Sequence, residues 1–154
     1  MRRRYQRGLS LVELIVAFTI LLILTSMAVP MARSKVRGER ERELRWALRE
    51  MRNAIDKYKD MADQGLLGPQ KLGAEGYPES LEVLVEGVKK AGQVDTKVRF
   101  LRRIPKDPMT NTSEWGMRST RDDPKAQAWG GQNVFDVYTK SMNKAKDGTA
   151  YSEW

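Results

Sequence analysis

One acidic residue, Glu13, lies in a long apolar run near the start of the chain. It is the only charged residue among the 21 residues from Leu9 to Val29. A carboxylate in a lipid-facing helix costs on the order of 2.5–3.5 kcal/mol unless it has a partner. No basic side chain lies within one helical turn of Glu13, so its partner must come from another molecule. The spacing therefore indicates ion pairing between molecules rather than catalysis.

The segment ahead of this run is strongly basic. Residues 1–8 contain four arginines and end in Gly8. The 21 residues of the apolar run, as a helix with a rise of about 1.5 Å per residue, would span roughly 30 Å, the thickness of a bilayer's hydrocarbon core. We therefore expect a single membrane span whose basic N-terminal flank stays in the cytoplasm.

The order of these residues carries a family resemblance. A basic leader, Gly8, a serine and then Glu13 before an apolar run resembles the class III signal of type IV pilins and type II secretion pseudopilins. The resemblance implies that a membrane prepilin peptidase cuts after Gly8 and that the new amino terminus, Leu9, is N-methylated. It also implies that Glu13 meets the terminal amine of a neighbouring subunit. Leu9 stands where phenylalanine is usual.

Three other interpretations of the amino-terminal segment stay open. A secretory signal peptide could be cut near residues 26–28, although Glu13 would then lie in its apolar region. The arginines of the leader could form a twin-arginine signal, although no cofactor site downstream calls for the export of a folded enzyme. An ordinary single-span anchor explains the apolar run and its basic flank, but it leaves Gly8 and Glu13 without a role.

Composition excludes several classes of function. The chain has no histidine and no cysteine, which removes the commonest general base, the serine–histidine nucleophile pair and thiolate metal sites. An enzyme is therefore not expected. Most of the net charge of +8 belongs to the leader and to residues 30–62, whereas residues 63–154 carry only +1. A nucleic-acid partner is not expected either, since that would need a basic exposed domain.

The chain from Leu9 to residue 62 predicts one long helix with two unlike halves. Residues 9–30 are the membrane or filament-core half, and Pro30 is expected to kink the helix because it lacks an N–H group. Residues 31–62 are amphipathic, with an apolar stripe at spacings of three and four. The predicted domains are therefore a leader (residues 1–8), the two halves of the helix (9–30 and 31–62) and a globular head (63–154).

The head predicts an α+β fold of pilin type, in which the long helix packs against a small antiparallel sheet with one or two short helices. A short helix is expected near residues 77–87, a loop over residues 89–97, and strands over residues 114–119 and 133–139. Burial is expected for the tryptophans, with Trp129 and Trp154 the ones most suspected of exposure.

A second resemblance covers about 70 residues of the head. A Tyr-Pro pair before the short helix, a Pro-Lys-Asp-Pro turn, a Trp-Gly pair, a Val-Tyr strand and an Asp-Gly loop follow in the order typical of major pseudopilins of type II secretion. The resemblance implies a subunit that forms a homo-oligomeric helical filament. Its implied partners are minor pseudopilins, the prepilin peptidase and an assembly platform. It implies a bacterial inner-membrane protein with a cytoplasmic N-terminus and a periplasmic head.

Calcium is the one cofactor that the resemblance raises. Many major pseudopilins hold this ion in the loop after the last strand, where this chain offers Asp147. Calcium takes six to eight oxygen ligands, and the acidic cluster of the family is missing here, so a simple turn at Asp147 is the competing interpretation. A type IV pilus subunit and a membrane-anchored binding module that never polymerises are the alternative functions.

Overall fold

The computed structural model of the chain describes residues 10–93 and 96–154, apart from the side chains of residues 27–31. It confirms the α+β fold class, with a long amino-terminal helix, small antiparallel sheets and short helices. The elements in chain order are α1 (Leu11–Asp63), α2 (Leu81–Glu86), β1 (Val88–Lys89), β2 (Lys97–Val98), β3 (Trp115–Arg118), β4 (Asp136–Thr139) and a short 3-10 helix (Tyr151–Glu153).

The second half of α1 carries the core of the head, as its periodicity predicts. Its residues spaced by three and four are buried, which gathers one apolar stripe on one side of the helix. The stripe consists of Leu44, Ala47, Leu48, Met51, Ala54, Ile55 and Tyr58. It packs with Leu84 of α2, Trp115 of β3 and Val137 of β4 in one apolar cluster.

Strands β3 and β4 form the predicted antiparallel pair, in register from Trp115 opposite Thr139 to Arg118 opposite Asp136. Gly116 lies under the ring of Tyr138, where a Cβ atom would overlap the ring. The indole Nε1 of Trp115 donates to the carbonyl of Pro105 at 2.8 Å. The Trp-Gly pair therefore joins the proline turn to the last strand.

A second two-stranded sheet was not predicted. Residues 89–97 were expected to be a loop, whereas Lys89 in β1 pairs with Lys97 in β2 and Val88 with Val98. Each strand is only two residues long, which is too short for an alternating pattern to show in the sequence. Gly68 joins this region through its N–H, which donates to the carbonyl of Lys89 at 2.8 Å.

The chain divides into two units, one that ends at Glu39 and one that runs from Arg40 to Trp154. The second unit contains the whole core. The predicted domain boundaries at residues 8, 30 and 62 stay predictions.

Candidate assembly site

The predicted processing site lies outside the described residues. Gly8 and Leu9 both fall there, so cleavage after Gly8 and methylation of Leu9 stay predictions. The described chain begins at Ser10, whose carbonyl accepts the first helical hydrogen bond, from the N–H of Leu14 at 3.1 Å.

Glu13 is the acidic residue in the first turn of α1. The N-terminal end of a helix carries a partial positive charge, which favours a carboxylate there. The side chain is exposed, and no described residue gives it a hydrogen bond or an ion pair. The carboxylate is therefore free to meet a cation from outside the chain.

The apolar half of α1 is exposed all the way round. Every large apolar side chain from residue 11 to residue 24 is at least 46% exposed, from Leu14 at 46% to Leu11 at 74%. The set is Leu11, Val12, Leu14, Ile15, Val16, Phe18, Ile20, Leu21, Leu22, Ile23 and Leu24. Monomeric soluble proteins rarely expose a contiguous apolar surface of this kind, which marks a membrane or protein contact.

The hydroxyl groups in this half bond to their own helix. Thr19 donates to the carbonyl of Ile15 and Thr25 to that of Leu21, both at 2.7 Å, and Ser26 donates to the carbonyl of Ile23 at 2.8 Å. These bonds satisfy the hydroxyls without a second chain. Glu13 is thus the charged group in this half that still needs a partner.

Pro30 lies within the range assigned to α1. Its predicted kink stays a prediction. Within residues 10–93 and 96–154, no helix contains an apolar stretch long enough to cross a membrane.

A charged network in the head was missed by sequence reasoning. Arg52 of α1 donates through Nε to Asp136 at 2.7 Å and through Nη2 to the main-chain oxygen of Trp154, also at 2.7 Å. Arg118 reaches the same carboxylate at 3.5 Å and stacks on the ring of Tyr138 at 4.0 Å. Asp136 thus links α1, β3 and β4. No signal in the sequence singles out Arg52, because Arg45 and Arg49 lie along the same edge of the helix.

Asp107 in the proline turn is fully buried. Its carboxylate accepts from the N–H of Met109 at 2.8 Å and from the hydroxyls of Thr110 at 3.1 Å and Thr139 at 2.5 Å. A buried carboxylate is tolerated when its oxygens are hydrogen-bonded. Asp107 therefore fastens the turn to β4, a role that the sequence motif alone did not show.

Asp147, the calcium candidate, is engaged in a turn. Its Oδ1 accepts from the hydroxyl of Thr149 at 2.6 Å and from its N–H at 3.0 Å, and these bonds hold the pKa of Asp147 below its ordinary value. No group of three or more acidic side chains is placed to hold a metal ion in the part of the chain that the structure describes. Calcium binding here stays an untested hypothesis.

The tryptophans divide differently from the expectation. Trp115 is 3% exposed, as expected, but Trp46 on α1 is 59% exposed. Trp129 is exposed and Trp154 is half-buried. Trp46 lies opposite the apolar stripe of α1, so its exposure adds an aromatic surface to the outer side of the helix.

The fold and the site are consistent with a pilin-like α+β protein. The first half of its long helix is apolar and exposed, and the glutamate in its first turn has no partner among the described residues. Residues 3–29 match the model of the prokaryotic N-terminal methylation motif. No curated protein and no solved structure matches the chain.

The motif match supports a type IV pilin-like protein with a prepilin signal. Proteins with this motif are structural rather than enzymatic. The motif implies processing by prepilin peptidase and polymerisation into filaments, and it suggests a membrane-anchored, exported protein.

Proposed function

We propose that this protein is a structural subunit of a type II secretion pseudopilus. It is inserted in the inner membrane through residues 9–29, cleaved after Gly8, N-methylated on Leu9 and polymerised through α1. The observation that carries the proposal is the match of residues 3–29 to the methylation motif. The motif begins before α1 and extends into the first part of this 53-residue helix.

The exposed apolar half of α1 supports polymerisation. Leaving a bilayer for a bundle of equally apolar helices changes little for side chains such as Leu11 and Leu22, since lipid tails are as apolar as leucine. Apolar contacts alone do not fix how far one helix is shifted along another, and the Glu13 carboxylate supplies the interaction that does. Pairing its carboxylate with the amine of Leu9 in a neighbouring subunit fixes the register of the two helices, and breaking a buried pair of this kind costs about 3–5 kcal/mol.

The order of motifs in the head supports a pseudopilus over other filaments. The proline turn, the Trp-Gly pair and the last strand are bonded to one another through Asp107 and Trp115. They thus form one structural unit in the order that resembles major pseudopilins. A type IV pilus subunit is the second candidate, because the methylation motif is common to both.

Mass spectrometry of the protein purified from cells that assemble it tests the processing step. We expect a polypeptide that begins at Leu9 and carries one methyl group on its terminal amine. Gly8→Val should accumulate as the uncut precursor, whereas the matched leader variant Gln6→Val should be cut normally. Assembled protein that still contains residues 1–8 would contradict the proposal.

A further inference from the structure

The outer side of α1 separates positive from negative charge along its length. Arg45 and Arg49 lie on this side, followed by Asp56 and Asp60, and all four side chains are exposed. They lie opposite the buried stripe that contains Met51. We call these four residues the outer stripe.

Three of the four charges in the outer stripe have no charge partner among the described residues. Other charges on the same helix do, since Arg52 pairs with Asp136 and Lys59 with Asp63. Arg49, Asp56 and Asp60 form no ion pair with a described residue. Arg45 stacks on the ring of Trp154 at 4.2 Å, and its charge adds to the hydrogen bonds from Thr149 in lowering the pKa of Asp147. The like charges of the outer stripe are also four residues apart, which destabilises an isolated helix. Within the described chain, Arg49, Asp56 and Asp60 therefore gain no ion pair from this arrangement.

The two halves of the outer stripe match each other after one shift along the helix axis. Arg45 and Asp56 are eleven residues apart, and so are Arg49 and Asp60. Three helical turns are about 10.8 residues and about 16 Å, so the shift places each arginine level with an aspartate on the same side of the helix.

Space is available beside the basic half. An open groove of about 470 Å³ is lined by Arg45, Arg49, Asn53 and Trp154, among others. Arginine guanidinium groups at such a groove suit carboxylates, which they bind through paired N–H donors. An aspartate from a neighbouring helix can therefore approach without displacing the core.

We propose that the outer stripe is a self-complementary interface that binds the outer stripe of a second copy of this chain. The two α1 helices run parallel with an axial offset of three turns, and Arg45 and Arg49 of one copy pair with Asp56 and Asp60 of the other. Copies in a helical filament take up this parallel, offset arrangement when their outer stripes face a shared axis. The inference rests on the proposed function, because it requires that the chain polymerise.

Charge exchange in the full-length protein tests the pairing. Arg49→Asp alone and Asp60→Arg alone should each lower filament yield on the order of tenfold, because like charges then face each other. The double variant, Arg49→Asp with Asp60→Arg, should restore the yield because each copy is complementary again. Glu82→Arg on the exposed side of α2 is the matched control and should leave the yield unchanged.

Thiol crosslinking tests the register. The chain has no cysteine, so copies with Arg49→Cys and copies with Asp60→Cys can be mixed in one filament and treated with a short bifunctional thiol reagent. We expect dimers between positions 49 and 60, and none between 49 and 49. Dimers of Arg49→Cys with Glu82→Cys instead would assign the partner surface to α2 and overturn the inference.

Failure of the two proposals can be told apart. Wild-type filaments without the 49–60 crosslink, or with full yield in Arg49→Asp, overturn the outer-stripe interface alone. Absence of filaments from the wild-type protein in cells that process it overturns the proposed function and the interface together.

Discussion

The two halves of α1 use apolar residues in opposite ways. From Leu11 to Leu24 the large apolar side chains are exposed, whereas from Leu44 to Tyr58 those of the apolar stripe are at most 4% exposed. The apolar stripe of the second half completes its contacts within residues 40–154, and Arg52 beside it forms an ion pair with Asp136. The first half leaves both its apolar surface and Glu13 without partners in the described chain. The comparison teaches that the apolar side chains of the second half stabilise the head, whereas those of the first half are placed for contact with other molecules.

The sharpest contrast between the halves is the effect of removing a leucine. Leu48→Ala should lower the free energy of unfolding of the head by about 2–5 kcal/mol, because it leaves a cavity in a buried cluster. Leu22→Ala, at a side chain that is 70% exposed, should change it by less than about 0.5 kcal/mol. Thermal unfolding of the full-length protein in detergent, followed by near-ultraviolet circular dichroism, measures both.

The comparison would fail if the two variants lost similar stability. It would be sharpened if Leu22→Ala, with an unchanged melting temperature, reduced filament yield. That result would show that the first half contributes to assembly and not to folding.

A smaller effect concerns the pH dependence of the head. Asp122 accepts from the N–H of Ser119 at 2.7 Å and from that of Gly130 at 3.1 Å. These bonds hold the pKa of Asp122 below its ordinary value of 3.8. The pKa of Asp122 is therefore lower in the folded state than in the unfolded state. The ionised carboxylate stabilises the head at pH values above the unfolded-state pKa, and this stabilisation is lost as the pH falls through the folded-state pKa.

The Asp122→Asn variant has no ionisable carboxyl group at this position. The difference in melting temperature between wild type and variant should shrink as the pH is lowered from about 6 to about 3. Asp60→Asn is the control, because the Asp60 side chain makes no hydrogen bond with a described residue. The melting temperature of this variant should stay close to that of the wild type. A difference for Asp122→Asn that stays constant with pH would show that these bonds do not favour the charged form.

Local signals in the sequence predicted much of this architecture. The spacing of Leu44, Leu48, Met51 and Ile55 predicted the buried stripe, and the aromatic and β-branched runs predicted β3 and β4. Contacts across long stretches of chain were out of reach, as with Arg52 and Asp136, which are 84 residues apart. Trp46 was wrongly expected to be buried, because residue type was given more weight than its position on the polar side of α1.

For the candidate site, sequence reasoning found the parts but not their surroundings. Glu13 and the apolar run were identified from the sequence, and the structure adds that Glu13 has no partner among the described residues. The charge pattern of the outer stripe was visible in the sequence as well. The structure was needed to interpret this pattern, because it shows that Arg52 pairs with Asp136 and Asp63 with Lys59. Arg49 and Asp60 have no such pair among the described residues.

The most direct test of the central claim compares filament yield for wild type and Glu13→Ala in cells with the assembly machinery, with Ser10→Ala as the control. If Glu13 pairs with the amine of a neighbouring subunit, Glu13→Ala should enter the membrane normally and form no filaments, while Ser10→Ala should form them. Filaments of wild-type yield from Glu13→Ala would contradict the account.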